Sequence, residues 1–468
     1  MRVLKFGGTS VVDETAIARV TAIVGAARRA AGASGGPLVV VSALGGVTDD
    51  LLDTASIART GRGADATASV SALRDRHVRV LEGVAPGQGG ADARRFIDEQ
   101  FAHLAAMVDA LAVLRDASAR SLDAVAALGE ILSTRIVAAA FAHAGLEATA
   151  VDPRELIVTD ETFTCAVPHM EATGAQVRAR LRSLLSEGRV VVTGGFVGAT
   201  RSGVATTLGR GGSDYSAAIL GASLDAAEIQ IWTDVDGMLT ADPRVVENPL
   251  LVPALSFAEA AELAYFGAKV LHPKTIQPAS SRKIPVRILN TFRPEAPGTI
   301  IADGGAQDPA AVTALACKKG ITVVTITSTG MLMAHGYMRR IFEVFERFRT
   351  SVDVVSTSEV SVSVTIDDTS HLEGIVAGLS AFADVSIASD LALVAVVGEG
   401  YGADPTAFTR VVRALEGIPL RLVSQADARR NVTLVIDEDD LPRAMSQLHA
   451  EFFRPAPRRS EAASEVSA

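Results

Sequence analysis

The sequence predicts an α/β protein with a mostly parallel sheet, followed by a smaller α+β part. Three observations carry this expectation. Over the first ~300 residues, short apolar runs of strand length alternate with longer helical patterns, as βαβ units do. Pro294, Pro297, Gly298, Gly304, Gly305 and Pro309 then crowd into one linker-like stretch. Beyond it the order of patterns changes and repeats, and two βαββαβ-like units in tandem are the economical reading. The chain has 468 residues, enough for two to four domains. Hydrophobic residues make up 48% and charged residues 21%, which excludes a mainly disordered chain.

Other function classes are excluded in the same way. No run of ~18 apolar residues occurs, so no membrane span is expected. The start, Met1-Arg2-Val3-Leu4-Lys5, enters a strand-like segment directly, so the expectation is an unexported, cytoplasmic protein. The net charge is −10 with no dominant basic cluster, which disfavours nucleic-acid binding. Cys165 and Cys317 are the only cysteines, too few for a disulfide framework or a four-Cys zinc site, and read as reduced structural thiols.

In chain order, residues 3–6 read as a buried strand, 13–31 as a helix and 38–42 as a second strand. Helical periodicity runs from 48 to 143, broken by a loop at 85–90. Residues 190–193, 227–233 and 285–289 read as further strands. Ligands on such sheets sit at the carboxyl ends of the strands. After the linker come strand 320–328, helix 335–350, strands 352–356 and 360–366, and helix 371–382. A similar set follows: strand 392–397, helix 404–415, strands 420–424 and 432–436, and helix 439–452. Residues 454–468 lack periodicity and are expected to be a disordered tail.

Several Gly-rich turns carry charged residues. Lys5-Phe6-Gly7-Gly8-Thr9-Ser10 ends the first strand. Its glycines let backbone N–H groups approach an anion, and Lys5 supplies a mobile charge. The plainer alternative is a turn with an exposed lysine; the pattern is not a Walker A loop. Lysine is scarce, since of 44 Lys and Arg only Lys5, Lys269, Lys274, Lys283, Lys318 and Lys319 are lysines. A retained Lys is therefore more apt to need a compact ammonium, which singles out Lys5 and Lys269. Thr206-Thr207-Leu208-Gly209-Arg210-Gly211-Gly212-Ser213-Asp214 precedes a helix and forms a dense anion-binding design.

Trp232-Thr233-Asp234-Val235-Asp236-Gly237 and Ala241-Asp242-Pro243-Arg244 place carboxylates where Mg²⁺ can be held directly or through water, unless turn chemistry alone explains them. Phe266-Gly267-Ala268-Lys269-Val270-Leu271-His272-Pro273 carries the second notable lysine, and His272 alone reads as structural. Leu128-Gly129-Glu130-Ile131-Leu132-Ser133 opens a helix, and Glu130 alone reads as a solvated helix-start carboxylate. Likewise, Val41-Ser42-Ala43-Leu44-Gly45-Gly46-Val47-Thr48 alone reads as a strand end and loop. Together these turns fit phosphoryl transfer, which needs cations, backbone N–H groups and Mg²⁺ around in-line reactants. A carboxylate acceptor needs no general base, because it is already ionised at pH 7.

The motifs at 5–10, 209–215, 232–237 and 266–273 resemble those of the aspartate kinase family, in the same order and at similar spacing. The resemblance covers all but the tail. It implies an amino-acid-kinase (carbamate-kinase-like) domain at 1–295, a linker at 296–310 and two ferredoxin-like ACT domains at 311–385 and 386–453. In lysine-sensitive members the first ACT unit is inserted within the second, which would give strand 311–318 to the second. The implied reaction transfers the γ-phosphoryl group of Mg-ATP to the side-chain carboxylate of L-aspartate. It opens the synthesis of lysine (with diaminopimelate), threonine and methionine. By resemblance Lys5 neutralises the transferring phosphate, Gly7, Gly8 and Ser10 contact phosphate, and Asp214 organises Lys5. Glu130 holds the aspartate amino group and Arg210 its α-carboxylate, with Ser42, Thr48 and Ser213 lining the site. Thr233, Asp234, Asp242, Arg244, Lys269 and Val270 surround ATP, and no resident metal ligands are assigned.

The resemblance extends to regulation. Met331, Gly336, Met338, Val352, Asp353, Thr357, Ser358 and Glu359 match the lysine-binding segment, with Asp353 and Glu359 meeting effector ammonium groups. Met333-Ala334-His335 departs from the more polar residues of that loop. The alternative for Asp353 and Glu359 is a pair of solvated loop carboxylates. A homodimer or dimer of dimers through the ACT units is implied, and the chain length suggests a monofunctional enzyme. Competing readings are another kinase of the same fold and a catalytically inactive amino-acid sensor.

Overall fold

The computed structural model describes all residues except 33–34, 268–272, 306–311, 400–403, 405, 426–430 and 454–468. Lys269, Val270, His272 and the tail therefore lie outside the described residues. The chain divides into two compact units, one of residues 1–238, 253–257 and 270–305, the other of 239–252, 258–269 and 306–468.

The first unit is built on an eight-stranded sheet of β1 (Arg2–Phe6), β2 (Leu38–Val41), β3 (Ala148–Val151), β5 (Val190–Gly194), β8 (Glu228–Thr233), β9 (Ala254–Ser256), β10 (Val286–Asn290) and β11 (Thr299–Ala302). The strand order is β3-β5-β2-β1-β8-β10-β11-β9. Every pair is parallel except β10 with β11. Continuous aliphatic runs such as Leu38–Val41 are buried throughout, as parallel strands covered on both faces must be. In the centre Lys5 lies opposite Val40 and Ile231, so β1 delivers its lysine among buried neighbours.

Helices α1 (Glu14–Ala31), α2 (Val47–Arg59), α3 (Gly63–Val84), α4 (Ala91–Leu114), α5 (Ala119–Ala126), α6 (Leu128–His143), α7 (Met170–Ser186), α8 (Gly212–Ser223) and α10 (Pro273–Ser281) complete this unit. The Asp13 carboxylate caps α1, accepting from Ala16 N at 2.8 Å. The break expected at 85–90 separates α3 from α4 and contains a 3₁₀ turn. Among the described residues, the stretch Ala119–His143 is long and apolar enough to cross a membrane by length and composition alone. It is a core helix by burial, since 78% of its apolar window is inside the protein. A small sheet of β4 (Val158–Thr159), β6 (Val197–Thr200) and β7 (Ala205–Thr207) escapes sequence reading because its strands are so short.

The second unit holds a six-stranded sheet of β12 (Ala314–Thr327), β13 (Val355–Thr357), β14 (Ser361–Ile366), β15 (Asp384–Val397), β16 (Leu422–Ser424) and β17 (Asn431–Asp437), in the order β13-β14-β12-β15-β17-β16. Its helices are α9 (Phe257–Tyr265, from residue 258 onward), α11 (Tyr337–Arg347), α12 (Leu372–Ser380), α13 (Ala407–Ala414) and α14 (Leu441–Phe453). Strands β12 and β15 run antiparallel through both halves of the sheet, with register shifts at Lys318/Ile321 and Ile321/Val323. One apolar cluster gathers Val324, Ile341, Phe345, Val364 and Ile375. A second gathers Val394, Val411, Leu434 and Leu448, and it includes Val312 and Leu315. The stretch around 312–317 thus packs with the later half of this unit. Ala241 and Val246 also belong to this second cluster, which is why 239–252 segregates from the stretch expected to form the catalytic domain.

Candidate active site

At the carboxyl ends of β1, β2 and β5 the first unit opens a cavity of about 660 Å³. Lys5, Gly7, Gly8, Ser42, Thr48, Glu130, Arg210, Ser213 and Asp214 all line it. Residues brought together from four separate stretches thus share one space. Ala43 and Leu44, from the 41–48 stretch, complete much of the wall together with Asp49, Leu52 and Phe196, which lie outside the motifs read from the sequence.

Lys5 Nζ lies 2.7 Å from Asp214 Oδ1, with both side chains mostly buried. No directed hydrogen bond reaches that oxygen, so the contact is ionic. Ser42 Oγ donates to Ser213 Oγ at 3.1 Å, tying the β2 end to the start of α8. That approach needs Gly195, where an added Cβ would sit 2.6 Å from Ser213 Cα. Helices α2 and α8 both begin at the cavity, after Gly46 and Gly211, and neither has a side-chain cap. Gly211 adopts φ +72°, a left-handed conformation natural to glycine. The free N–H groups of both helices suit bound anions.

Glu130 is not the solvated helix-start carboxylate that its sequence position alone suggests. Only 3% of it is exposed, and its Oε2 has no hydrogen-bond partner. Burial pushes its carboxyl up to about 8, and donation from the Ala43 backbone only partly offsets this. Ser133 Oγ and Thr134 Oγ1 donate to the Glu130 carbonyl at 3.1 and 2.7 Å, and Ser133 also reaches Ser42 O at 2.7 Å. A buried carboxyl that lines the cavity and has one oxygen without a partner is suited to a cationic ligand group. Arg210, on the loop before α8, is exposed and lines the same cavity.

The remaining expected residues lie elsewhere. Ser10 is fully buried and its Oγ bonds Thr291 Oγ1 at 2.8 Å, outside the cavity lining. Thr233 and Asp234 end β8 beside β1, where Gly7 N donates to Trp232 O at 3.3 Å, and Thr233 Oγ1 donates to Asp234 Oδ1 at 3.1 Å. Asp242 and Arg244 pair with each other within the second unit, Nε to Oδ1 at 3.0 Å.

In the second unit, Met331 and Val352 pack on the same apolar cluster. Gly336 precedes α11 with φ +77°, and Met338, Thr357, Ser358 and Glu359 are exposed. Asp353 is no solvated carboxylate, because its side chain is 5% exposed. It accepts from Tyr265 Oη at 2.8 Å and from Lys318 Nζ at 3.2 Å, and Lys318 also pairs with Asp367 at 2.5 Å.

Comparison with known proteins agrees with this geometry. The amino acid kinase family model matches residues 1–290, and an ACT domain model matches 394–452. The chain is 34% identical to the chloroplastic aspartokinase 3 of Arabidopsis thaliana, over 96% of this chain and 81% of that protein. It is 32% identical to the lysine-sensitive aspartokinase 3 of Escherichia coli, over 96% of this chain and 99% of that protein. The solved structure of E. coli aspartokinase III with aspartate and ADP, described as the R-state, superposes with a TM-score of 0.83 at 32% identity, covering 97% of this chain and 100% of the other. The lysine and aspartate complex of the same enzyme, the T-state, gives 0.79 at the same identity and coverage. With the kinase model spanning more than half its length and full-length relatives above 30% identity, the chain belongs to the aspartokinase family.

Proposed function

We propose that this chain is an aspartate kinase, which transfers the γ-phosphoryl group of ATP to the side-chain carboxylate of L-aspartate to give 4-phospho-L-aspartate and ADP. The product enters lysine, threonine and methionine biosynthesis. The observation that carries the reading is the shared cavity. It gathers the Lys5–Asp214 ion pair, two uncapped helix starts and the buried carboxyl of Glu130, one oxygen of which has no partner. A triphosphate and a dicarboxylate bring much negative charge, which Lys5, Arg210 and the backbone N–H groups offset. Glu130 holds the substrate ammonium, Arg210 the α-carboxylate, and Ser42, Thr48 and Ser213 the intervening polar groups. Asp214 keeps Lys5 aimed at the transferring phosphate. Thr233, Asp234, Asp242, Arg244, Lys269 and Val270 are assigned to the nucleotide by family likeness, and Gly7, Gly8 and Ser10 to the phosphate loop.

Among the described residues no group of three His, Cys, Asp or Glu stands together as a metal site. This donor set suits a Mg²⁺ that arrives with ATP and is held by phosphate oxygens and one or two carboxylates, such as Asp234. A cytoplasmic location, with access to ATP and free aspartate, belongs to the same reading. The test is to trap acyl phosphate with hydroxylamine, using purified protein, Mg-ATP and L-aspartate, with and without L-lysine. Aspartate-dependent hydroxamate is expected, and its absence from folded, ATP-binding protein would sink the assignment.

L-lysine is the proposed effector, bound around Asp353 with Glu359, Thr357 and Ser358. Its ammonium would compete with Lys318 for Asp353. Asp353→Ala is expected to raise the lysine concentration for half inhibition by about tenfold or more, the scale of a lost charge-assisted hydrogen bond. Turnover without lysine should change little, and unchanged inhibition would move the effector site elsewhere. Exposed Val355 and Val423 lie on the two edge strands β13 and β16, and support a homodimer or dimer of dimers through this unit.

A further inference from the structure

We infer that Asp123 is a positioning residue that fixes the spacing between the ammonium-binding and α-carboxylate-binding groups, and so makes the site selective for α-amino acids. The inference rests on the substrate reading above. Asp123 lies on α5, outside the cavity lining, with 1% of its surface exposed. Its Oδ2 accepts from Thr164 N at 2.9 Å and from Thr207 N at 3.0 Å. Its Oδ1 accepts from Thr207 Oγ1 at 2.7 Å. These donors are two backbone N–H groups and a hydroxyl, with no Lys or Arg among them. A fully buried carboxylate held this way is a rigid clamp.

The clamp grips what carries Arg210. Thr207 ends β7, three residues before Arg210. Thr207 O accepts from Ala166 N at 2.8 Å, which joins the 164–166 turn to the same strand. Gly209 packs onto that turn, where an added Cβ would lie 3.2 Å from Thr164 O. Thr164 itself sits at φ +69°, an unusual conformation for a β-branched residue, and the Asp123 bond to its N–H holds it there.

The other end of the ruler is Glu130. Ala127 links α5 to α6 with helical angles, and the bonds Ala127 N to Asp123 O (3.0 Å) and Ile131 N to Ala127 O (3.2 Å) continue across the joint. Asp123 and Glu130 therefore ride on one helical rod, about two turns apart. The same rod thus bears the ammonium partner and anchors the loop of the carboxylate partner. Both must be right at once only for a substrate that carries the two groups on one carbon.

The test uses Asp123→Ala and Asp123→Asn in the full chain, with hydroxamate kinetics. β-Alanine is aspartate without its α-carboxylate, and succinate is aspartate without its amino group. In Asp123→Ala the KM for aspartate and the inhibition constant of succinate are expected to rise together by roughly tenfold or more, since a small misplacement of a binding group is costly. The β-alanine constant should stay within about twofold, because it does not use Arg210. Asp123→Asn should stay within about threefold of wild type throughout, as one amide oxygen can accept both N–H groups and the NH₂ can donate to the Thr207 hydroxyl. A rise in all three constants, or an unchanged aspartate KM, would overturn the inference. Should Asp123→Ala not fold, Thr207→Val removes one arm of the clamp and is expected to give the same pattern in smaller size; a flat or uniform response there would equally overturn it. Wild-type protein that forms no aspartyl hydroxamate would overturn the substrate reading as well. Normal wild-type activity with unaltered discrimination in the variants would sink the positioning role alone.

Discussion

Lys5→Met is expected to lower turnover by ~10³-fold or more while leaving the fold recoverable. One preorganised group acting on developing transition-state charge is typically worth 10² to 10³ in kcat, and a full positive charge beside a phosphoryl group stands at the upper end. The variant also strands Asp214, whose side chain is only 15% exposed and whose ion-pair partner is lost. Breaking a buried pair from one side costs about 3–5 kcal/mol, so reduced turnover could be confused with reduced folding. The double variant Lys5→Met/Asp214→Asn separates the two effects. Its unfolding midpoint should return toward wild type, because no buried charge is left uncompensated, whereas its turnover should stay low. Recovery of turnover along with stability would reduce Lys5 to a structural role. Lys5→Arg should rescue little, since a planar guanidinium does not replace a compact ammonium 2.7 Å from a carboxylate.

The position of Lys5 was legible because it depends on local facts: a short apolar strand, two glycines and a helix start. The environment of Glu130 was not, because burial is a tertiary property. Yet the sequence did hold a signal. Residues Leu128 to His143 show no polar face, and 12 of them are buried. A helix that is apolar all round is a core helix, and a carboxylate within it is a buried carboxylate. The packing of the Asp242–Arg244 segment was not legible either, because Ala241 and Val246 join the apolar cluster of the second unit through long-range contacts that local composition does not reveal. Strand β15 was expected only from 392, but it begins at Asp384. Its first half, Asp384 to Asp390, is largely exposed and owes its extended form to pairing with β12, a long-range partner that local composition does not reveal. Asp123 gave no signal at all, since its three donors come from 41 and 84 residues away.

Because burial holds the Glu130 carboxyl up to about 8, the free enzyme carries it protonated at neutral pH. The substrate ammonium favours the carboxylate, so binding aspartate below that pH must expel a proton. The apparent KM for aspartate should then fall about tenfold per pH unit on the acid side and level off above about 8. Between pH 6 and pH 8 the drop should be roughly 50-fold. Glu130→Gln keeps the shape, removes the charge, and should raise the KM by ~10²-fold while flattening this dependence. Calorimetry in two buffers of different ionisation enthalpy would count the released proton directly. A wild-type KM that is flat from pH 6 to 8 would mean that Glu130 does not meet the ammonium. Stability should follow with the opposite sign. The folded carboxyl is raised above its ordinary 4.5, so the native state binds the extra proton between 4.5 and about 8. The free enzyme should therefore lose stability as pH rises through that window, and the loss should be complete above it. Saturating aspartate restores a partner for the carboxylate, so the gain in unfolding midpoint on adding it should be larger at pH 9 than at pH 6. The same comparison in Glu130→Gln should show no such difference.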